Sequence, residues 1–308
     1  MLSRRDFAAG LGGLAVAPRV LAEEFPDTPV QIDARQDRYD RLTIPVRLGD
    51  GPPHDFVVDT GADCSVLAID LAESLALPPG KPVLVHGITG AQMTPTVKAP
   101  PLVVGGVALK RREFPILPRD RLGADGLLGV DVLQRRRLIM DFKARRFEIQ
   151  ATSPHHGGGG GVRSALVPAH DSFGRLTVID ARAYGALATA FVDSGGGMTI
   201  VNETLAAAVR KRGYWREPAQ RVMLTGVTQH VLYGEVRLLD RLALGDLKFR
   251  NVPVVVSDLH LFNQWGLTGK AAILLGANVL RLFSRIELDY GRRQMLFQAG
   301  REPTPLAA

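Results

Sequence analysis

The chain is written twice, and no other feature constrains its fold as tightly. Phe56-Val57-Val58-Asp59-Thr60-Gly61-Ala62-Asp63-Cys64-Ser65-Val66-Leu67 falls without a gap on Ala190-Phe191-Val192-Asp193-Ser194-Gly195-Gly196-Gly197-Met198-Thr199-Ile200-Val201. Arg41-Leu42-Thr43 and Arg175-Leu176-Thr177 share the same offset of 134 residues. Further along, His86-Gly87-Ile88-Thr89 answers to Thr225-Gly226-Val227-Thr228, and Val104-Gly105-Gly106-Val107-Ala108-Leu109 to Leu244-Gly245-Asp246-Leu247-Lys248-Phe249. Last, Leu127-Leu128-Gly129-Val130-Asp131-Val132-Leu133 answers to Leu274-Leu275-Gly276-Ala277-Asn278-Val279-Leu280, and Met140-Asp141-Phe142 to Leu288-Asp289-Tyr290. Blocks that recur in one order mean a duplication, and 308 residues hold two units of domain size.

Each copy reads as mostly β. Leu42–Leu48, Phe56–Val58, Val83–His86, Leu102–Val104 and Arg146–Ile149 are short runs punctuated by Gly and Pro, the pattern of strands and turns. One amphipathic helix per copy is expected, through Leu67, Leu71 and Leu75 in the first and over Asn202 to Arg212 in the second, capped by Asn202 and stopped by Gly213. Between the copies, Ser153-Pro154-His155-His156 runs into Gly157–Gly161, a flexible composition that reads as the link between lobes. The expected organisation is a signal segment over 1–22, a first lobe over 23–151, a linker over 152–164, a second lobe over 165–300 and a tail over 301–308.

The signal segment rests on Arg4-Arg5 followed by an uncharged run from Ala8 to Ala17 and a small-residue end at Ala22. A run of about ten apolar residues is half of what a membrane helix needs, and paired arginines ahead of it match the twin-arginine export pattern. A periplasmic or secreted location is therefore expected, with no integral membrane segment once the signal is removed. The formal charge of +7 is carried by scattered arginine pairs without interleaved aromatics, which points away from nucleic acid. The single cysteine, Cys64, excludes an intrachain disulfide and lies in an apolar stretch where a buried small hydrophobe is expected. No pattern of metal ligands or cofactor contacts stands out, so no metal and no cofactor are expected.

The chemistry is concentrated in Asp59-Thr60-Gly61 and Asp193-Ser194-Gly195, where an apolar run ends in an acid, a hydroxyl residue and a glycine. Alone, such a triplet is an ordinary turn. At matching places of a duplicated chain, pseudo-two-fold packing would bring both carboxylates to one axis. Two carboxylates that close cannot both ionise, so they share a proton and titrate as a unit. One can then act as general base on a water while the protonated one polarises a carbonyl.

From about Asp40 to Phe297 the chain resembles the retropepsin-like and pepsin-like aspartic proteases. The resemblance rests on Asp59-Thr60-Gly61-Ala62-Asp63, on Asp193-Ser194-Gly195, and on the apolar-apolar-glycine segments Leu127-Leu128-Gly129 and Leu274-Leu275-Gly276. It implies an all-β fold of two homologous acid-protease-type β-barrel lobes related by pseudo-two-fold symmetry, with minor helices. It implies catalytic roles for Asp59 and Asp193, support from Thr60, Gly61, Ala62, Ser194, Gly195 and Gly196, and substrate-covering flaps at Gly87, Ile88 and Thr89 and at Gly226 and Val227. It further implies a peptide or protein substrate and a monomer whose two lobes pair within one chain. The second loop departs from the family in Gly196-Gly197, and neither Ala62 nor Gly196 supplies the hydroxyl that many pepsin-like enzymes place beside the carboxylate, which predicts a working range in weak acid. Three other readings stay open: a peptide-binding pseudoprotease without efficient hydrolysis, pairing of each lobe with one from another chain, and two turn acids in a structural β-protein.

Overall fold

The computed structural model describes residues 28–109, 113–133, 136–152, 164–172, 175–215 and 219–299. The expected signal segment, the Gly157–Gly161 run with His155 and His156, and the expected tail lie outside the described residues. Within them the chain is all-β with short helices, and the two copies build related curled sheets.

The first copy forms a nine-stranded sheet whose centre sets Pro53–Val58 parallel to Gly126–Leu128, with Leu127 beside Val57. The second repeats this arrangement: Ala186–Val192 runs parallel to Ala272–Leu275, with Leu274 beside Phe191. All four strand ends are buried, so each aspartate follows a fully apolar strand held against the apolar-apolar-glycine segment.

A second seam joins the copies. In the order Val30–Asp33, Arg146–Gln150, Arg137–Asp141, Phe283–Asp289, Gln294–Ala299, Ser164–Ser172, three strands of each copy make one continuous antiparallel layer. Its central register pairs Ile139 with Glu287. The repeat that equates Met140-Asp141-Phe142 with Leu288-Asp289-Tyr290 makes these two residues equivalents of one another, so a local two-fold axis passes between them.

The helices differ in part from expectation. The first covers Ile69–Ser74, while Leu67 belongs to the strand Val66–Ala68 and Leu75 caps the helix with a partly exposed side chain. Val66–Ala68 is buried on both faces between Ile116-Leu117 and Gly126-Leu127, and that pairing outweighs helical spacing. The second helix, Glu203–Lys211, starts as expected: the Asn202 side chain accepts from the Leu205 amide at 3.0 Å, and Gly213 leaves with φ +85°. Short helices at Arg119–Leu122, Val130–Leu133, His260–Gln264 and Ala277–Leu280 were beyond the reach of the pattern, being too brief to show periodicity. Cys64 is half-buried rather than buried. Trp265 is a core residue stacked on Phe191 at 4.5 Å, and Trp215 sits edge-on to Tyr184 with its indole N–H donating to Leu238.

Among the described residues no helix is long and apolar enough to cross a membrane.

Candidate active site

Both aspartate loops leave their strands at the same interface and are tied there by reciprocal hydrogen bonds. The Thr60 hydroxyl donates to the Val192 carbonyl at 2.9 Å and accepts from the Ser194 amide at 3.1 Å. The Ser194 hydroxyl does the same in return, donating to the Val58 carbonyl at 2.7 Å and accepting from the Thr60 amide at 3.1 Å. Thr60 and Ser194 are both buried, so none of these groups can turn to water instead. Each half therefore satisfies the other's backbone, and this second two-fold arrangement matches the one in the central seam.

Asp59 and Asp193 stand immediately before this lock. The Gly61 amide donates to Asp59 Oδ1 at 2.8 Å, and the Gly195 amide to Asp193 Oδ1 at 3.0 Å. The glycines also face the opposite aspartate. A methyl group at Gly61 would lie 2.7 Å from Asp193 Oδ1 and 3.2 Å from Asp59 Oδ1, and one at Gly195 would run into the Asp59 carboxyl. One point thus touches both carboxylates, which face each other across Gly61. Only glycine leaves room for that approach.

The sequence left the second loop without a supporting side chain, and the structure supplies the reason. The Gly196 amide donates to Asp193 Oδ1 at 3.0 Å, while a methyl group there would meet Asp193 Oδ2 at 2.8 Å. Where the sequence offers no hydroxyl, backbone thus supplies Asp193 with a donor. The first loop is arranged differently: the Ala62 amide donates to the Asp59 backbone carbonyl at 3.4 Å.

Beneath each loop lies a clasp that the repeat contained but sequence reading did not single out. Ser65 is fully buried; its hydroxyl donates to Asp131 at 2.9 Å and accepts from the Gly129 amide at 3.1 Å. In the second copy Thr199 donates to Asn278 at 2.8 Å and accepts from the Gly276 amide at 3.1 Å. The available signal was a small hydroxyl residue six positions after each aspartate, with an acid or amide two positions after each supporting glycine. Gly129 and Gly276 pass against the Cys64 and Met198 backbones, where a Cβ would not fit.

Hairpins stand where the flaps were expected. Val83–His86 pairs with Ala91–Thr94 around Gly87, Ile88 and Thr89, and Gln220–Thr225 pairs with Val231–Leu239 around Gly226 and Val227. Their tips touch: the Thr89 and Thr228 hydroxyls lie 3.2 Å apart in a buried contact, and the Gln229 amide donates to Gln92 at 2.8 Å. Ile88 reaches onto the second copy's apolar cluster containing Phe191, Phe262 and Trp265, and its carbonyl accepts from the His260 amide at 2.9 Å.

Histidines from three segments gather at this junction. His86 Nδ1 and His260 Nε2 lie 3.0 Å apart, one donating and one accepting, with rings parallel within 4°. Loss of hydration, followed by the charges of His86 and His230, holds the His260 imidazole below its usual value of 6.5. In the docked state His260 thus holds a proton less readily than a free imidazole does. The contact is at full strength above that usual value and weakens as pH falls through it. Hydrogen exchange at Gly87–Gly90, corrected for intrinsic rates, is expected to show stronger protection at about pH 8 than at about pH 5; equal protection would show that the histidines do not hold the tip.

The model of a family described as aspartyl protease matches residues 44–132 and again 179–279, once in each copy. The chain belongs to the aspartyl protease family. A search of curated proteins finds no match. Membership carries a protease-type function and a peptide substrate in general terms, and the two matched regions each contain one Asp-hydroxyl-Gly loop with its supporting glycine segment.

Proposed function

We propose that the protein is an aspartic endopeptidase that hydrolyses peptide bonds with a water activated between Asp59 and Asp193. The observation that carries this reading is the pair of carboxylates meeting across Gly61 behind the reciprocal Thr60 and Ser194 lock. In the reaction one ionised carboxylate takes a proton from water as its oxygen attacks the peptide carbonyl carbon. The protonated partner gives its proton to the carbonyl oxygen. The tetrahedral diol then collapses: the amide nitrogen receives a proton from the protonated member of the dyad, the C–N bond breaks, and one hydroxyl proton passes to the ionised member, leaving a carboxylic acid, a free amine and the dyad with its single shared proton. Thr60, Gly61, Ala62, Ser194, Gly195 and Gly196 hold the pair in place, and the two hairpin tips, with Gly87, Ile88, Thr89, Gly226 and Val227, cover the bound peptide.

The same reading takes the two lobes to pair within a single monomeric chain, joined by the glycine-rich segment, and the enzyme to act after twin-arginine export, in the periplasm or outside the cell. The basic pair and apolar run at the N-terminus support that location.

The test is incubation of the full chain with an unfolded protein between about pH 3 and pH 7, with and without a statine-type inhibitor. Inhibitor-sensitive cleavage with a bell-shaped pH profile is the expected result. Tight peptide binding without cleavage would replace the endopeptidase with a peptide-binding pseudoprotease.

A further inference from the structure

Arg41 opens the first conserved block of the duplication, yet its side chain serves the other half of the molecule. Its guanidinium is buried. Nε donates to Asp37 Oδ2 at 2.7 Å, Nη2 donates to the Leu122 carbonyl at 2.7 Å, and Nη1 crosses to the second copy and donates to the Gly195 carbonyl at 3.1 Å. Room for this reach is kept by Gly123, where a methyl group would lie 2.6 Å from Nη2. Asp37 is fixed in turn by accepting from the Tyr39 and Arg41 amides, both at 2.9 Å. A buried cation held by one carboxylate and two carbonyls, one of them in the other copy, is not serving as a surface charge.

The carbonyl it grips belongs to the peptide unit whose N–H is that of Gly196. No peptide bond in the described residues is cis, so this C=O and N–H point in opposite directions. One end receives Arg41 at 3.1 Å and the other donates to Asp193 Oδ1 at 3.0 Å. A guanidinium stays charged at any pH the enzyme meets, and a charged donor on a carbonyl polarises the same peptide's N–H. A stronger donor on the carboxylate favours its ionised form. In the first loop the Ala62 amide donates to the Asp59 backbone carbonyl at 3.4 Å.

We infer that Arg41 is a positioning residue of the dyad, holding Asp193 through the Gly195–Gly196 peptide as the ionised member and leaving Asp59 to carry the shared proton. On this assignment, which rests on the endopeptidase reading, Asp193 receives the proton of the attacking water and Asp59 protonates the peptide carbonyl. The charged groups around this chain of contacts are Asp59 opposite Asp193, Asp37 on the guanidinium, and Arg38, which lies 4.7 Å from the Tyr39 ring. Tyr39 packs over Gly197, and Asp40 is paired with Arg281 at 3.0 Å.

The experiment compares wild type with Arg41→Lys, Arg41→Gln and the double variant Asp37→Asn plus Arg41→Gln, using pH profiles of kcat and KM on one peptide together with melting curves. The double variant removes the buried carboxylate that Arg41→Gln alone would strand, so a folded protein without the charge is obtained even if the single variant unfolds. The expected result is a kcat lowered about tenfold with KM nearly unchanged, and an acidic limb displaced upward by about half to one pH unit. Arg41→Lys, which keeps the charge but not the fork, should show the same displacement in smaller measure. A structural role alone would lower the folded fraction or scale kcat equally at every pH. Folded variants with an unmoved acidic limb would overturn the inference while leaving the endopeptidase reading intact. That reading stands or falls separately, on whether replacing either dyad aspartate removes cleavage.

Discussion

Asp59→Asn and Asp193→Asn are each expected to remove peptide cleavage, lowering kcat/KM by at least about a hundredfold, while leaving the melting temperature close to that of wild type. The size follows from losing a proton acceptor or donor that acts on the reacting atoms, and a dyad sharing one proton loses both functions when either member goes. The fold should survive because the amide side chain keeps an oxygen where Gly61 donates to Asp59 Oδ1, and where Gly195 and Gly196 donate to Asp193 Oδ1. The lock beneath is made by Thr60 and Ser194 with main chain and does not use the carboxylates. Each variant should be compared with wild type on one substrate at the wild-type optimum, with circular dichroism as the check on folding. If either folded variant kept more than about a tenth of wild-type activity, the chemistry would have to reside elsewhere.

The duplication made the fold class and the meeting of the two aspartate loops legible in the sequence itself, because repeated blocks carry long-range information that local patterns lack. An offset held constant from Arg41 to Leu67 fixes which residues are equivalent. Equivalence plus a two-fold axis brings Asp59 to Asp193 and Thr60 to Ser194. Local patterns did less well where tertiary pairing decides: Leu67 fits a helical spacing with Leu71 and Leu75 but is held in a strand by neighbours on both sides. The part that could not be read is the part that depends on direction. Nothing in Gly196 announces that its amide points at Asp193, and nothing in Arg41 says that its guanidinium crosses to Gly195. Ser65 with Asp131, and Thr199 with Asn278, were visible as repeated hydroxyl and acid or amide positions, but their meaning lies in a contact between segments far apart in the chain.

The second large effect is expected outside the aspartate loops, at the seam of the two copies. Arg137 and Glu287 form an ion pair with side chains only 6% and 3% exposed, in which Arg137 Nε donates to Glu287 Oε2 at 3.0 Å. Each residue belongs to a different copy and to one of the two adjacent strands at the local two-fold axis. Glu287→Leu would take the carboxylate away from a guanidinium buried at the seam, at a cost of about 3–5 kcal/mol, a large share of the roughly 5–15 kcal/mol that holds a folded domain together. Arg285, which donates to Glu287 Oε1 at 2.9 Å, adds little to the loss, because its own side chain is 30% exposed and can turn to solvent. The pair need not be a net source of stability, since two buried charges surrender most of their attraction to lost hydration. Arg137→Leu combined with Glu287→Leu should therefore recover most of the loss, and the coupling between the two changes should exceed about 2 kcal/mol. Denaturant midpoints of the two single variants and the double variant measure this cycle directly. A Glu287→Leu cost below about 1 kcal/mol would place the pair among solvated surface bridges, and the seam would then be held by its backbone ladder and apolar contacts alone.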